Sequence, residues 1–109
     1  MTKKVSAKHF KSEVIESSKL SLVQFKTEWN GACQIISPLY ESLAKQYYGS
    51  VNFFTVDVDE NKILEHEQGI TDIPTILFFK SGAVVDYLVG LAPRNEIVSK
   101  IEKALSETK

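Results

Sequence analysis

The chain has 109 residues, a net charge of −1, 43% hydrophobic residues and one cysteine. That length predicts one domain, residues 1–109, with an ordinary core. The near-neutral charge, without blocks of one sign, gives no hold on nucleic acid or an anionic membrane, and one thiol excludes an internal disulfide framework.

The first residues, Met1 to Lys8, carry lysines but no apolar segment follows them. They do not read as a secretory signal, so a reducing cytoplasm is the expected compartment. No apolar run approaches the roughly 20 residues that span a bilayer. Ser6 is placed to cap a short helix with Ala7, Phe10 and Val14 on its apolar face. Leu20 to Thr27 reads as a strand buried on both faces. From Cys33 to about Tyr48, Ile36, Leu39, Tyr40, Leu43, Ala44 and Tyr47 recur at helical spacing, with Pro38 inside.

Val51 to Val58 alternates as a strand. Asp59 is predicted to cap a short helix over 61–68 that stops at Gly69. Thr75–Phe79 and Ala83–Val89 are strands joined by Lys80-Ser81-Gly82, a loop short enough to make an antiparallel hairpin. Gly90 ends that hairpin. Ile97, Ile101, Ala104 and Leu105 form the buried stripe of a last helix, with Glu96 and Lys100 as an i,i+4 pair outside. The order helix, strand, helix, strand, helix, strand, strand, helix predicts an α/β fold: a central mixed sheet with helices on both faces.

Trp29-Asn30-Gly31-Ala32-Cys33 stands at a strand-to-helix junction. With Gly69-Ile70-Thr71-Asp72-Ile73-Pro74-Thr75 and Val89-Gly90 it resembles the thioredoxin family. There the first run ends in Trp-Cys-Gly-Pro-Cys, the second carries a cis-proline facing the dithiol, and the third closes a substrate groove. Pro38 and Val56-Asp57-Val58-Asp59 fit the same pattern, and the resemblance runs from about Val5 to Leu105. It implies the thioredoxin fold and no cofactor or metal. It departs at the chemistry. Asn30 stands in place of the attacking cysteine and Ala32 in place of proline. Gln24 replaces the buried aspartate, Gln34 a lysine after the second cysteine, and Thr55 a lysine near that aspartate.

Disulfide exchange starts with a thiolate attacking a disulfide sulfur. In the family that attacker sits at a helix N-terminus, which lowers its pKa. By position, Cys33 is the second, resolving thiol. An unperturbed thiol is roughly 3% ionised at neutral pH, and burial cuts this further. Gln24 cannot serve as a base. Conventional dithiol reductase activity is therefore expected to be absent.

Asn30 reads instead as a helix N-cap; the Asn30-Gly31 pair also signals a hairpin, but the helical pattern after Cys33 argues against one. Gln24 reads as a hydrogen-bonded core amide. His9 and His66 lie in different helices without a second ligand nearby, so no metal site is expected. Trp29, Gly31, Ala32, Ile73, Pro74, Gly90 and Leu91, with Ala92 following, are the expected partner-binding residues, and Cys33 and Asn30 mark the former catalytic pair. Three readings follow. The first is a module that binds a protein partner or extended peptide in the groove. The second is a monothiol protein of redox homeostasis that uses Cys33 in mixed disulfides. The third is a structural subunit that buries Trp29 and the Ile73-Pro74 loop in an oligomer.

Overall fold

The computed structural model describes residues 1–107; Thr108 and Lys109 lie outside the described residues. Five strands form one sheet: β1 (Lys3–Lys4), β2 (Leu20–Lys26), β3 (Val51–Asp57), β4 (Thr75–Lys80) and β5 (Ala83–Val89). Their order across the sheet is β1-β3-β2-β4-β5. β1 and β2 run parallel to β3, whereas β4 is antiparallel to both β2 and β5. The sheet is therefore mixed, with crossovers first and the hairpin last. Four helices accompany it: α1 (Ala7–Phe10), α2 (Gly31–Gln46), α3 (Lys62–Glu67) and α4 (Arg94–Ser106), with α1 continuing as a π-helical turn over Lys11–Ile15. None is long and apolar enough to cross a membrane among the described residues.

β2 lies at the centre and is buried along almost its whole length. Its alternating side chains feed two cores. Leu20 and Leu22 pack with Ile36, Tyr40 and Leu43 of α2 and Ile97 and Ile101 of α4. Val23 and Phe25 pack on the other face with Phe10, Val14 and Leu64. Tyr40 donates its buried hydroxyl to the carbonyl of Phe54 at 2.7 Å, which ties α2 to β3. The hairpin is tighter than expected, because β4 extends through Lys80. Ser81 (φ 52°) and Gly82 (φ 84°) alone make the turn. Two central residues at positive φ match the type I′ connection that suits twisted strands.

Several local expectations are corrected. β1 carries no apolar pattern; its exposed lysines pair through the backbone with Phe54 and Thr55. Ser6 precedes α1 but makes no side-chain cap, and Ala7 is exposed rather than core. The Ala7 N–H is met by the Asn61 side chain at 2.9 Å. Asp59 does not cap α3, which Asn61 precedes without a side-chain cap bond. The Asp59 carboxylate accepts instead from Trp29. Lys100 does not pair with Glu96. It reaches across to Asp86 of β5 at 2.9 Å.

Candidate functional site

The register brings the three motif loops to one end of the sheet. β2 ends where Lys26 pairs with Asp57, while Phe25 faces Thr75 at the start of β4. Thr75 in turn faces Val89 at the end of β5. The chain before β4 and the chain after β5 meet through the Gly90 N–H, which donates to the Pro74 carbonyl at 2.8 Å. The Ile73–Pro74 peptide is cis, and Gly90 adopts φ 83°. A side chain at Gly90 would be strained by that backbone geometry alone.

α2 begins at this end. Asn30 is in extended conformation and its amide oxygen accepts the Cys33 N–H at 2.9 Å. This is the N-cap arrangement: the side chain satisfies one of the donors that a helix start leaves open. The Asn30 carbonyl also takes the Gln34 N–H at 3.1 Å, and the Gln34 side chain donates to the Glu28 carbonyl at 3.0 Å. Gly31 is exposed, and an added Cβ would meet no atom within 4 Å. Ala32 is half-buried beside it.

Cys33 lies one turn in and is only 1% exposed. Burial pushes its thiol above the ordinary value. The Thr27 N–H and the Lys26 ammonium pull the other way without cancelling that push, and Glu28 adds to it. The thiolate is thus scarcer than in a free cysteine. Beneath the helix, Gln24 lies on the α2-facing side of β2 and is fully buried. Gln24 is a core amide as expected, but its Nε2 has no partner among the described residues. Thr27 Oγ1 is buried without a partner in the same sense. Among the described residues no carboxylate is buried beneath Cys33 to take its proton; Glu28 and Glu41 are exposed.

Two depressions flank this start of α2. One, of about 420 Å³, is lined by Cys33, Lys26, Thr27, Ser37 and Glu41. The other, of about 210 Å³, is apolar and lies between Ile35, Ile36 and Leu39 of α2 and the segment Leu91-Ala92-Pro93. Trp29 stands out at 69% exposure, and its indole N–H donates to Asp59 at 2.9 Å. That bond also holds the Asp59 carboxyl below its usual value. Ile73 is half-buried against the second core, and Pro74 is buried. Leu91 is exposed.

Sequence reasoning missed Ile35 and Asp59 in this neighbourhood. Ile35 carried a signal: it is an aliphatic residue on the side of α2 away from the core stripe. The Trp29–Asp59 bond carried none, because its partners are 30 residues apart.

A mixed sheet with helices on both faces, a helix starting beside a proline loop and a glycine turn define a thioredoxin-type domain. Comparison with known proteins agrees. The thioredoxin family model matches residues 1–103. A thioredoxin of Chlorobaculum thiosulfatiphilum is 41% identical over 96 residues, 88% of this chain and 89% of that protein. A thioredoxin of Rickettsia felis (strain ATCC VR-1525 / URRWXCal2) is 36% identical over 105 residues, 96% of this chain and 100% of that protein. A thioredoxin of Synechocystis sp. (strain ATCC 27184 / PCC 6803 / Kazusa) is 36% identical over 104 residues, covering 95% and 97%. The chain belongs to the thioredoxin family.

Proposed function

We propose that this protein uses the thioredoxin groove to hold a protein partner or an extended peptide segment and carries out little or no disulfide reduction. The observation that supports this most is the capped start of α2. Asn30 satisfies the Cys33 N–H with its own amide oxygen, at the position where a reductase needs an ionised sulfur. The one remaining thiol is buried and its pKa is raised, so neither attack nor internal resolution is favoured. The same burial weighs against the monothiol reading, which requires Cys33 to meet a second sulfur in the native state.

The residues to which this reading gives binding roles stand at the same end of the sheet. Trp29 presents an exposed ring, anchored by Asp59, of the type that dominates interface energetics. The backbone beside Pro74 is available to an extended segment, which is strand addition on a small scale. Leu91 and Ile35 border the apolar depression that would take an aliphatic side chain. A lone reduced thiol fits a reducing cytoplasm, and the reading places the protein there.

Affinity capture from the source organism's extract tests this. Immobilised wild type and Cys33→Ser should retain the same proteins, whereas Trp29→Ala should lose them. Loss of the retained proteins with Cys33→Ser, and their release from wild type by dithiothreitol, would instead establish the monothiol reading.

A further inference from the structure

The two edges of the sheet are finished differently. β1 closes one edge with only two residues, both exposed lysines. Shortness and lysine both discourage an edge from pairing with another chain. β5 closes the other edge with seven residues and no lysine, arginine or proline. Val84, Tyr87 and Val89 are 47%, 61% and 51% exposed. They stand opposite Phe79, Leu77 and Thr75, on the face where the sheet runs out beyond its helical cover. The register shift between Phe78 and Phe79 leaves Val85 as an extra apolar residue beside Val84.

The backbone of this edge is also free to pair. Gly90 N–H points to β4 through its bond to Pro74, so alternation turns the N–H and C=O of Tyr87 and Val89 outward. Among the described residues the Tyr87 N–H is met only by the carboxylate of its neighbour Asp86, at 2.8 Å. A carbonyl from an added strand would take that place, and Asp86 would keep Lys100.

Charge decides what the added strand is. Glu96, Ser99, Lys100 and Lys103 of α4 line, with Asp86, a depression of about 510 Å³ beside β5. Their spacing puts them in one stripe along the helix, with an acid at one end and a base at the other. The Lys100–Asp86 bond of 2.9 Å pins the middle of the stripe next to Tyr87. A two-fold axis through Tyr87 reverses the stripe, so Glu96 of one copy faces Lys103 of the other. The same axis places Val85 beside the second copy's Val89 and Asp86 opposite Leu88, which keeps the two Asp86 carboxylates out of direct opposition. An isologous contact needs this kind of self-complementarity.

We propose that the β5 edge, with the Glu96–Lys103 stripe beside it, is the interface of a homodimer in which two copies pair β5 antiparallel and continue the sheet across the two-fold axis. One strand pair with a helix flank lies at or below the roughly 1,200–2,000 Å² of stable complexes, so the dimer depends on concentration.

Sedimentation velocity from about 10 μM to about 1 mM tests the proposal. Wild type should pass from monomer to dimer over that range, and Ile63→Lys, an exposed change on α3, should behave identically. Tyr87→Lys should stay monomeric throughout while keeping the wild-type melting temperature, as expected for an exposed position. Glu96→Lys should raise the dissociation constant about tenfold by setting like charges opposite each other, and adding Lys103→Glu should restore it. A wild type that is monomeric at 1 mM overturns the proposal. So does a dimer that survives Tyr87→Lys, or one that the double charge swap fails to restore.

Discussion

Replacing Asn30 by alanine removes the side-chain acceptor that caps α2 and leaves the part-buried Cys33 N–H without its 2.9 Å partner. Loss of an Asn cap costs about 1 kcal/mol, within a range of about 0.5–2. In a domain of this size 1 kcal/mol corresponds to roughly 4–8 °C in melting temperature. Asn30→Ala should therefore melt about that much lower, and its urea midpoint should fall without a change in slope. Asn30→Asp separates capping from mere bulk. It keeps an oxygen acceptor and adds a negative charge at the helix N-terminus, worth about 0.3–1 kcal/mol. At neutral pH it should match or exceed wild type. The advantage should fade as pH falls below about 4 and the new carboxyl protonates. The assay is thermal unfolding followed by circular dichroism at pH 7 and pH 3. If Asn30→Ala melts within a degree of wild type, or Asn30→Asp is no better than Asn30→Ala at pH 7, the capping argument fails.

Cys33 should react with a thiol reagent far more slowly in the native protein than after denaturation, because it is buried and its pKa is raised. The native rate should climb about tenfold per pH unit and keep climbing past the ordinary thiol range near 8.5, whereas a plateau below pH 8 would contradict the raised pKa. Gln24→Met should be neutral or stabilising by about 1–3 kcal/mol, since it replaces a buried amide whose nitrogen has no partner among the described residues with an apolar side chain of similar size. Calorimetry showing a clear loss of stability would mean that the amide is satisfied in solution.

The fold was legible where burial writes itself into local pattern. β2 is a continuous apolar run because both its faces are covered, and α2 shows its core stripe at helical spacing. The β4–β5 hairpin declared itself through the short loop Lys80-Ser81-Gly82, although Lys80 proved to belong to β4. What was not legible depends on partners distant in sequence. Lys3 and Lys4 form a strand only because the edge of β3 offers them backbone groups at Phe54 and Thr55. Asp59 has the residue type and position of a helix cap, but the Trp29 indole competes for its carboxylate. Lys100 had a local partner in Glu96 and took Asp86 across the α4–β5 contact instead. At the site, Asn30 could be read as a cap because capping is a three-residue relation. The unpartnered Gln24 amide could not, because satisfaction of a buried group depends on everything packed around it.

We propose that the scaffold lacks reductase chemistry because Asn30 stands where the attacking sulfur would be. Reduction of insulin disulfides, measured as turnover over the dithiothreitol background, tests it most directly when wild type is run beside Asn30→Cys/Ala32→Pro. Wild type should stay at background and the double variant should rise above it, with Gln24→Asp adding to the gain. Wild-type turnover comparable to that of a dithiol thioredoxin would contradict the account.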